Sequence, residues 1–240
     1  MPLEGSIVYL LEHFNSEDSV FIKKVAKLGY FLTKFLDLNQ QAIIKQFHPD
    51  VTFFGGYVNS EMKRAMSYVG DFSITAYELI YDKRYKEINH PNILGSLLAL
   101  GIQKDNIGDI IVADKTIIFV ANEIKDYIKM NLKVNNLDVD LIEVNCENME
   151  YYPVLTEKKV FANSIRLDNI VSNVYNCSRN ESKTLISKGL VRVNHKLITN
   201  SSFSLKVDDI VSVRKKGRFK LLNVIGTSRK DKIIMNIGIY

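Results

Sequence analysis

The apolar residues of this chain change spacing several times, and each change marks an element. Val20, Ile22, Val25, Leu28, Phe31, Leu32 and Phe35 recur at three- and four-residue steps, which predicts a single opening helix with Ser16 or Asp18 as its N-cap. A second helix is expected over residues 39–47. His48-Pro49-Asp50 ends it, because proline disfavours helical geometry in the residue before it. Val51-Thr52-Phe53-Phe54 is β-branched and aromatic and reads as a strand that Gly55-Gly56 breaks.

From Ser73 the alternation is regular, with Ile74, Ala76, Glu78 and Ile80 on one side and Tyr77, Leu79 and Tyr81 on the other. Pro91 suits the first turn of a helix whose apolar face is Ile93, Leu94, Leu97, Leu98 and Leu100 and which Gly101 closes. Residues 107–113 and 116–121 form two apolar runs joined by Asp114-Lys115, the shape of a hairpin. Asn122 is placed to cap a helix running through Val134, striped by Ile124, Tyr127, Ile128 and Leu132, and residues 137–144 are again strand-like. The order strand, helix, strand, strand, helix, strand is that of a ferredoxin-like α+β unit. Such a fold hosts many functions, RNA-recognition sheets with exposed aromatics among them, and so names none by itself.

Beyond residue 150 the pattern restarts. Leu167, Ile170, Val171 and Val174 make an amphipathic helix, and Ser178-Arg179-Asn180-Glu181 has the spacing of a capping box for a second one. That helix faces inward through Ser182, Leu185 and Ile186 and stops at Gly189, which suits a left-handed C-cap. Val191-Arg192-Val193-Asn194 alternates, His195-Lys196 reads as a turn before Leu197-Ile198, Ile210 to Arg214 is a strand, Lys215-Lys216-Gly217-Arg218 a basic turn, and 219–224 a returning strand. The architecture expected is therefore α+β, with residues 1–70 as a helical region and strand–turn segment, 71–150 as a ferredoxin-like (RRM-like) domain, 151–163 as a linker and 164–240 as a small basic module.

Charge sharpens the division. Residues 151–240 carry 17 lysines and arginines against 6 aspartates and glutamates, a net of +11, whereas residues 1–150 carry 15 against 21, a net of −6. Cations interleaved with regular apolar periods decorate a folded surface, and a folded basic surface meets a polyanion. Arg179 and Lys183 share a helix face one turn apart, where they repel unless an anion lies between them, and Arg179 sits where free backbone amides favour a phosphate. The RNA-binding set expected is Arg179, Lys183, Lys188, Arg192, Lys196, Arg214, Lys215, Lys216 and Arg218. Further basic spots at Lys63-Arg64 and Lys83-Arg84 lie near Tyr57, Tyr68, Tyr81 and Tyr85, and Lys63 and Arg64 are kept as candidates for a second RNA contact. Glutamate at both 179 and 183 is expected to weaken RNA binding without unfolding the chain.

The residues themselves carry a resemblance. Arg166-Leu167-Asp168, Ser178-Arg179, Leu185-Ile186, Gly189, Val191-Arg192-Val193-Asn194, Lys196, and Asp209 to Arg214 with Gly217-Arg218 closely resemble the S4 RNA-binding domain, with His195 departing from a glycine common in that turn. Phe54-Gly55-Gly56-Tyr57, Glu61, Lys63-Arg64-Ala65, His90 to Leu98, Gly101-Ile102 and Ile107 to Val112 resemble the bacterial YlmH family. That resemblance implies an RNA-recognition-like domain ahead of an S4 domain and binding to rRNA and tRNA on the large ribosomal subunit. It also implies ribosome-associated quality control of stalled nascent chains, in which P-site tRNA is held during tailing, and, through gene neighbourhood, cell-division partners.

No catalytic constellation emerges. Arg166-Leu167-Asp168 superficially resembles the Arg-Leu-Asp of pseudouridine synthases, but Asn169-Ile170-Val171 follows it in place of Thr-Ser-Gly, so Asp168 reads as a helix-dipole partner. A methyltransferase would present a glycine-rich turn that Gly55-Gly56 does not match. His13, His48, His90 and His195 are isolated, and Cys146 and Cys177 suggest neither a zinc site nor a disulfide framework. His90 reads as a helix cap or a buried hydrogen-bonding group. Residues 1–11 lack the features of a secretion signal. The expectation is a non-enzymatic, cytoplasmic, monomeric RNA-binding protein without cofactor, metal or membrane insertion; the alternatives are an RNA-modifying enzyme and an adaptor linking RNA to cell-division proteins.

Overall fold

A computed structural model describes residues 16–25, 27–82, 84 and 88–240, which fall into two compact units, Met1–Tyr151 and Tyr152–Tyr240. The readings made for residues 1–11, His13, Lys83 and Tyr85 lie outside the described residues.

In the first unit, α1 spans Ser16–Val25 and α2 Leu38–Phe47, followed by β1, Thr52–Phe54, and β2, Arg64–Met66. The expected opening helix is too long by its second half. The 31–36 stretch is extended because its backbone pairs with β2, the Thr33 amide donating to Ala65 O at 2.9 Å and the Leu36 amide to Lys63 O at 2.8 Å. Phe31 and Phe35 enter different cores, a burial pattern that imitates helical spacing. Asp37 and Gln40 form the capping box that starts α2, at 2.9 and 3.0 Å.

The ferredoxin-like order is present: β3 (Ile74–Ile80), α3 (His90–Ala99), β4 (Ile107–Val112), β5 (Thr116–Ala121), α4 (Lys125–Asn131), the small hairpin β6 (Lys133–Val134) and β7 (Leu137–Asp138), and β8 (Asp140–Val144). The sheet runs β4-β5-β3-β8, antiparallel throughout. Asn89, not His90, caps α3, its side chain accepting the Asn92 amide at 3.0 Å, and His90 is an exposed first residue of the helix. Asn122 does not cap α4 but accepts the Thr75 hydroxyl, and α4 stops at Asn131 because Asn135 and Asn136, at φ 52° and 65°, turn the chain into the β6–β7 hairpin.

One face of this sheet is covered by helices and the other is covered over β4, β5 and the start of β3, whereas Ile80 and Ile142 on that second face are exposed. Tyr77, Leu79, Ile118 and Val120 pack against Ile93 and Leu97 of α3 and Ile128 of α4. On the other face Ala76, Ile111, Ile117, Phe119 and Ala121 meet Phe35, Tyr57 and Cys146, so every residue of β5 is buried. Tyr57 lies on Phe119 with ring centroids 4.9 Å apart. Asp109, on β4, pins this cover by accepting the Tyr57 hydroxyl at 2.7 Å and the amides of Glu61 and Met62 at 2.7 and 3.1 Å. Burial raises the pKa of Asp109, against the lowering effect of those three hydrogen bonds, and burial followed by the Asp109 charge pushes Tyr57 up as well. The two glycines of the matching motifs make the approach close enough. Gly56 has φ +100° and a Cβ there would strike the Phe119 ring, and one on Gly108 would lie 2.6 Å from the Phe35 ring.

The second unit is one six-stranded antiparallel sheet with two helices on one face. It comprises β9 (Thr156–Ala162), α5 (Leu167–Val174), α6 (Arg179–Ser187), β10 (Val191–Val193), β11 (Lys196–Leu197), β12 (Ile210–Val213), β13 (Gly217–Thr227) and β14 (Ile233–Ile239), in the order β11-β10-β12-β13-β14-β9. The linker expected over 151–163 is mostly β9: Val160 and Ala162 are buried in this core, and the strand pairs with β14 along its whole length. Leu167, Ile170, Val171 and Ile186 of the helices close the core over Val191, Val211, Phe219 and Met235.

The cover on the ferredoxin-like sheet generates a paired expectation. Gly56→Ala should lower unfolding free energy by about 2–4 kcal/mol, combining a left-handed backbone with overpacking. Gly95→Ala, at an exposed α3 position with nothing within 4 Å of the added carbon, should raise it by about 0.5–1 kcal/mol. Urea unfolding of both variants checks the signs.

Candidate nucleic-acid interface

The cationic surface of the second unit is organised around one carboxylate. Asp168, in the first turn of α5, is fully buried and accepts from Arg166 Nε at 3.1 Å and from Arg179 Nε at 3.0 Å. Burial alone would raise its pKa; the hydrogen bonds and positive charges of the two guanidinium groups outweigh that and hold it below the usual carboxylate range. Its backbone carbonyl accepts the buried Ser182 hydroxyl at 2.6 Å, so α5 and α6 are joined by charge and by hydrogen bond at one residue.

α6 starts as the sequence indicates, with Ser178 accepting the Glu181 amide at 3.1 Å. The reciprocal half of the box is replaced: the Glu181 carboxylate lies 3.6 Å from Lys216 Nζ. Lys216 also stands 6.0 Å from the centroid of Tyr175, whose buried phenol has its pKa pushed up to about 12. At its other end α6 closes on Gly189 at φ +68°, with Gly189 N donating to Ile186 O and Leu190 N to Leu185 O, both at 3.0 Å, a Schellman motif. The Arg214 amide bonds Leu190 O at 2.9 Å, so the 214–217 turn runs alongside α6.

These contacts sort the nine cations named from the sequence. Lys183, Lys188, Arg214 and Lys215 are exposed and have no carboxylate partner among the described residues. Arg179 and Lys216 belong to the same region, each held by an acidic neighbour. Lys196 pairs with Val193 across the β10–β11 hairpin, on the helix side of the sheet. Arg192 and Arg218 are different. The register Arg192, Ser212, Arg218 places them on the face opposite the helices, where Arg218 lies 4.7 Å from the Tyr240 ring and Arg192 donates to His195 O at 2.9 Å. The β10–β11 turn is Asn194-His195 at φ 47° and 66°, a two-residue type I′ geometry that asparagine tolerates. Asn194 is locked to Asp209 at 2.8 Å and to the Ile210 amide at 2.9 Å, which holds the turn despite histidine where glycine would be easier.

The second candidate pair separates. Arg64 is 2% exposed and is withdrawn as an RNA contact: its guanidinium donates to Thr33 O at 2.6 Å, Ser73 O at 2.8 Å and the Glu123 carboxylate at 3.0 Å. Lys63 is half-buried, its backbone paired with Leu36. Over β4, β5 and the start of β3 the face on which an RNA-recognition sheet displays aromatics is covered by Tyr57 and its neighbours, and among the described residues the exposed apolar side chains on that face are Ile80 and Ile142. Sequence reading missed Arg166, whose partner is two residues away, and Arg229, Lys230 and Lys232 at the β13–β14 turn. The Lys and Arg density of 229–232 was the available signal. Among the described residues no group of three metal-ligating side chains could hold an ion, and no helix is long and apolar enough to cross a membrane. Both cysteines are free.

Comparison with known proteins follows this geometry. Residues 68–148 match the model described as a putative RNA-binding domain in YlmH, and residues 165–211 match the S4 domain. The chain is 28% identical over 245 residues to "Ribosome-associated protein quality control protein P2" of Bacillus subtilis, covering 93% of this chain and 95% of that protein. It is 41% identical over 54 residues to small ribosomal subunit protein uS4 of Dichelobacter nodosus, covering 22% of this chain and 26% of that one. A solved structure, "Cell division protein ylmH from Streptococcus pneumoniae", aligns at 25% identity and TM-score 0.45 over 55% of this chain and 93% of that chain.

The Asp168 contacts change what a charge reversal at Arg179 would do: glutamate there would face a buried carboxylate, so the reversal at 179 tests folding together with binding. Asp168→Asn should cost about 2–4 kcal/mol, since it leaves two guanidinium groups without their charge partner. Because the folded pKa of Asp168 is depressed, its contribution is present above the unfolded value of about 3.9 and is lost as pH falls through the folded value. Thermal unfolding from pH 7 to pH 2 should therefore show a smaller acid destabilisation in Asp168→Asn than in the parent chain.

Proposed function

The chain belongs to the YlmH family, and from that premise we propose that it is a non-enzymatic protein that binds structured RNA on the ribosome through its S4 unit. The observation that carries this reading is a set of four exposed cations with no carboxylate partner among the described residues, Lys183 and Lys188 on α6 and at its C-cap and Arg214 and Lys215 on the following turn, together with Arg179 and Lys216. Six positive groups fixed on rigid elements match a folded polyanion. A-form RNA hides its base edges in a deep groove, so such a surface reads shape and phosphate positions rather than sequence.

The binding is placed in the cytoplasm, on rRNA and tRNA of the large subunit, during quality control of stalled nascent chains. The name of the Bacillus subtilis relative and the near-complete mutual coverage support the ribosomal setting. The large subunit and the tRNA are the finer part of the proposal, and a monomer suffices for it. A non-enzymatic role is favoured because Asp168, the carboxylate that an Arg-Leu-Asp triplet would offer as a nucleophile, is buried and held by two guanidinium groups.

The test is Lys183→Glu combined with Lys188→Glu, two exposed positions whose change leaves the Asp168 contacts intact. Sedimentation of lysates through sucrose gradients should show the parent chain with large subunits and the folded variant at the top. Losing two phosphate contacts should also flatten the slope of log affinity against log salt by about 1.5–2. A folded variant that sediments and binds like the parent contradicts the assignment.

A further inference from the structure

β13 is far longer than its partner β12. The two pair from Gly217 to Lys220, and Leu221 exchanges backbone hydrogen bonds with Asp208 and Asp209, yet β13 continues to Thr227, paired beyond Leu221 with β14 alone. Residues 223–227 are exposed and β12 does not flank them, while β14 stays paired with β9 as far as Ile233 and Ala162, so the distal half of β13 is an exposed edge of the sheet. Two register shifts, between Leu221 and Asn223 and between Val224 and Gly226, bend and twist it.

The turn that joins β13 to β14 is built rather than frayed. Ser228 N donates to Lys232 O at 2.8 Å, Asp231 N donates to Ser228 O at 3.0 Å, and the Ser228 hydroxyl accepts the amides of Lys232 at 3.1 Å and Lys230 at 3.3 Å. This loop holds out Arg229, Lys230 and Lys232, all exposed and without a carboxylate partner among the described residues. It lies outside the segment that matches the S4 model, which ends at residue 211. With Asp231 in the same turn the tip carries a net charge of +2, and that excess positive charge is relieved by an anion.

Position identifies the anion. The Lys215–Lys216 turn and the 229–232 tip stand at opposite ends of β13, and at 3.3 Å per residue those ends are roughly 30 Å apart. One phosphate group, or a short run of them, cannot serve both. We propose that the tip is a second RNA contact, in which Arg229, Lys230 and Lys232 grip phosphates about ten base pairs along a duplex from those held at the 214–217 turn. The inference rests on the reading of the unit as an RNA binder and adds a bipartite footprint to it.

The experiment uses the full chain, with Arg229→Glu, Lys230→Glu and Lys232→Glu combined, against a stem-loop RNA of about 6 base pairs and a duplex of about 20 base pairs, over a range of salt. The parent should bind the long duplex more tightly and with a steeper salt slope than the short one. The tip variant, with an unchanged unfolding midpoint, should bind the stem-loop like the parent but lose about tenfold on the long duplex, with its slope flattened by about 2. Equal loss on both RNAs would reveal a net-charge effect and overturn the bipartite footprint, as would no loss on either. If the variant keeps its affinity for the long duplex but no longer sediments with ribosomes, the tip contacts a protein and the RNA assignment falls. Lys183→Glu with Lys188→Glu, run in parallel, separates the two ideas: its loss of binding to both RNAs sustains the primary reading whatever the tip variant does.

Discussion

A carboxylate taken out of water must be paired, and in the basic unit that requirement is met at Asp168 by Arg166 and Arg179 together. The pairing fixes the angle between α5 and α6, because the same residue's carbonyl also takes the Ser182 hydroxyl. It fixes the Arg179 side chain at the entrance of α6 and so sets the position of the surface that follows along that helix. A cation anchored in this way is pre-organised for a phosphate but is not wholly free to move toward one. The cations further along α6 and on the turn, exposed and without a carboxylate partner among the described residues, have that freedom.

The acidic unit meets a different constraint. A four-stranded sheet exposes two faces, and a single layer of helices covers one. Here the chain's own 54–62 and 146–151 stretches supply the second cover, with Tyr57 on Phe119 and Asp109 accepting three hydrogen bonds. Phe54-Gly55-Gly56-Tyr57 and Ile107-Gly108-Asp109-Ile110, the motifs that carry the resemblance in this half, thus meet one another in space. They are parts of one cover, which closes the β4–β5 side of the face on which RNA-recognition domains display aromatics and leaves Ile80 and Ile142 of that face exposed. Division of labour follows from charge and burial alike: the net −6 half closes its sheet, and the net +11 half leaves cations in solvent.

The ferredoxin-like order and the two S4 helices were legible because their periodicities are unambiguous over whole elements, as at Leu167, Ile170, Val171 and Val174. Local chemistry also spoke clearly at Ser178 and Gly189. The remainder was hidden for identifiable reasons. Phe31 and Phe35 keep helical spacing while serving two cores from an extended strand. β9 looked like a linker because its inward row is interrupted by Lys158, which reaches the Val174 carbonyl at 2.8 Å and so completes the end of α5. Arg64 resembled a surface cation because its partners, Thr33, Ser73 and Glu123, are distant in sequence. The length of β13 was missed because alternation fails beyond Leu222, where residues 223–227 are all exposed.

Hydrogen exchange of the full chain, free and saturated with large ribosomal subunits, tests the central claim most directly. Protection should rise across 179–190 and 214–218, with β5 equally protected in both states because its sheet is sealed beforehand. New protection confined to 74–80 and 116–121, with none at α6, would contradict the account, for it would mean that the covered sheet opens and is the surface that binds.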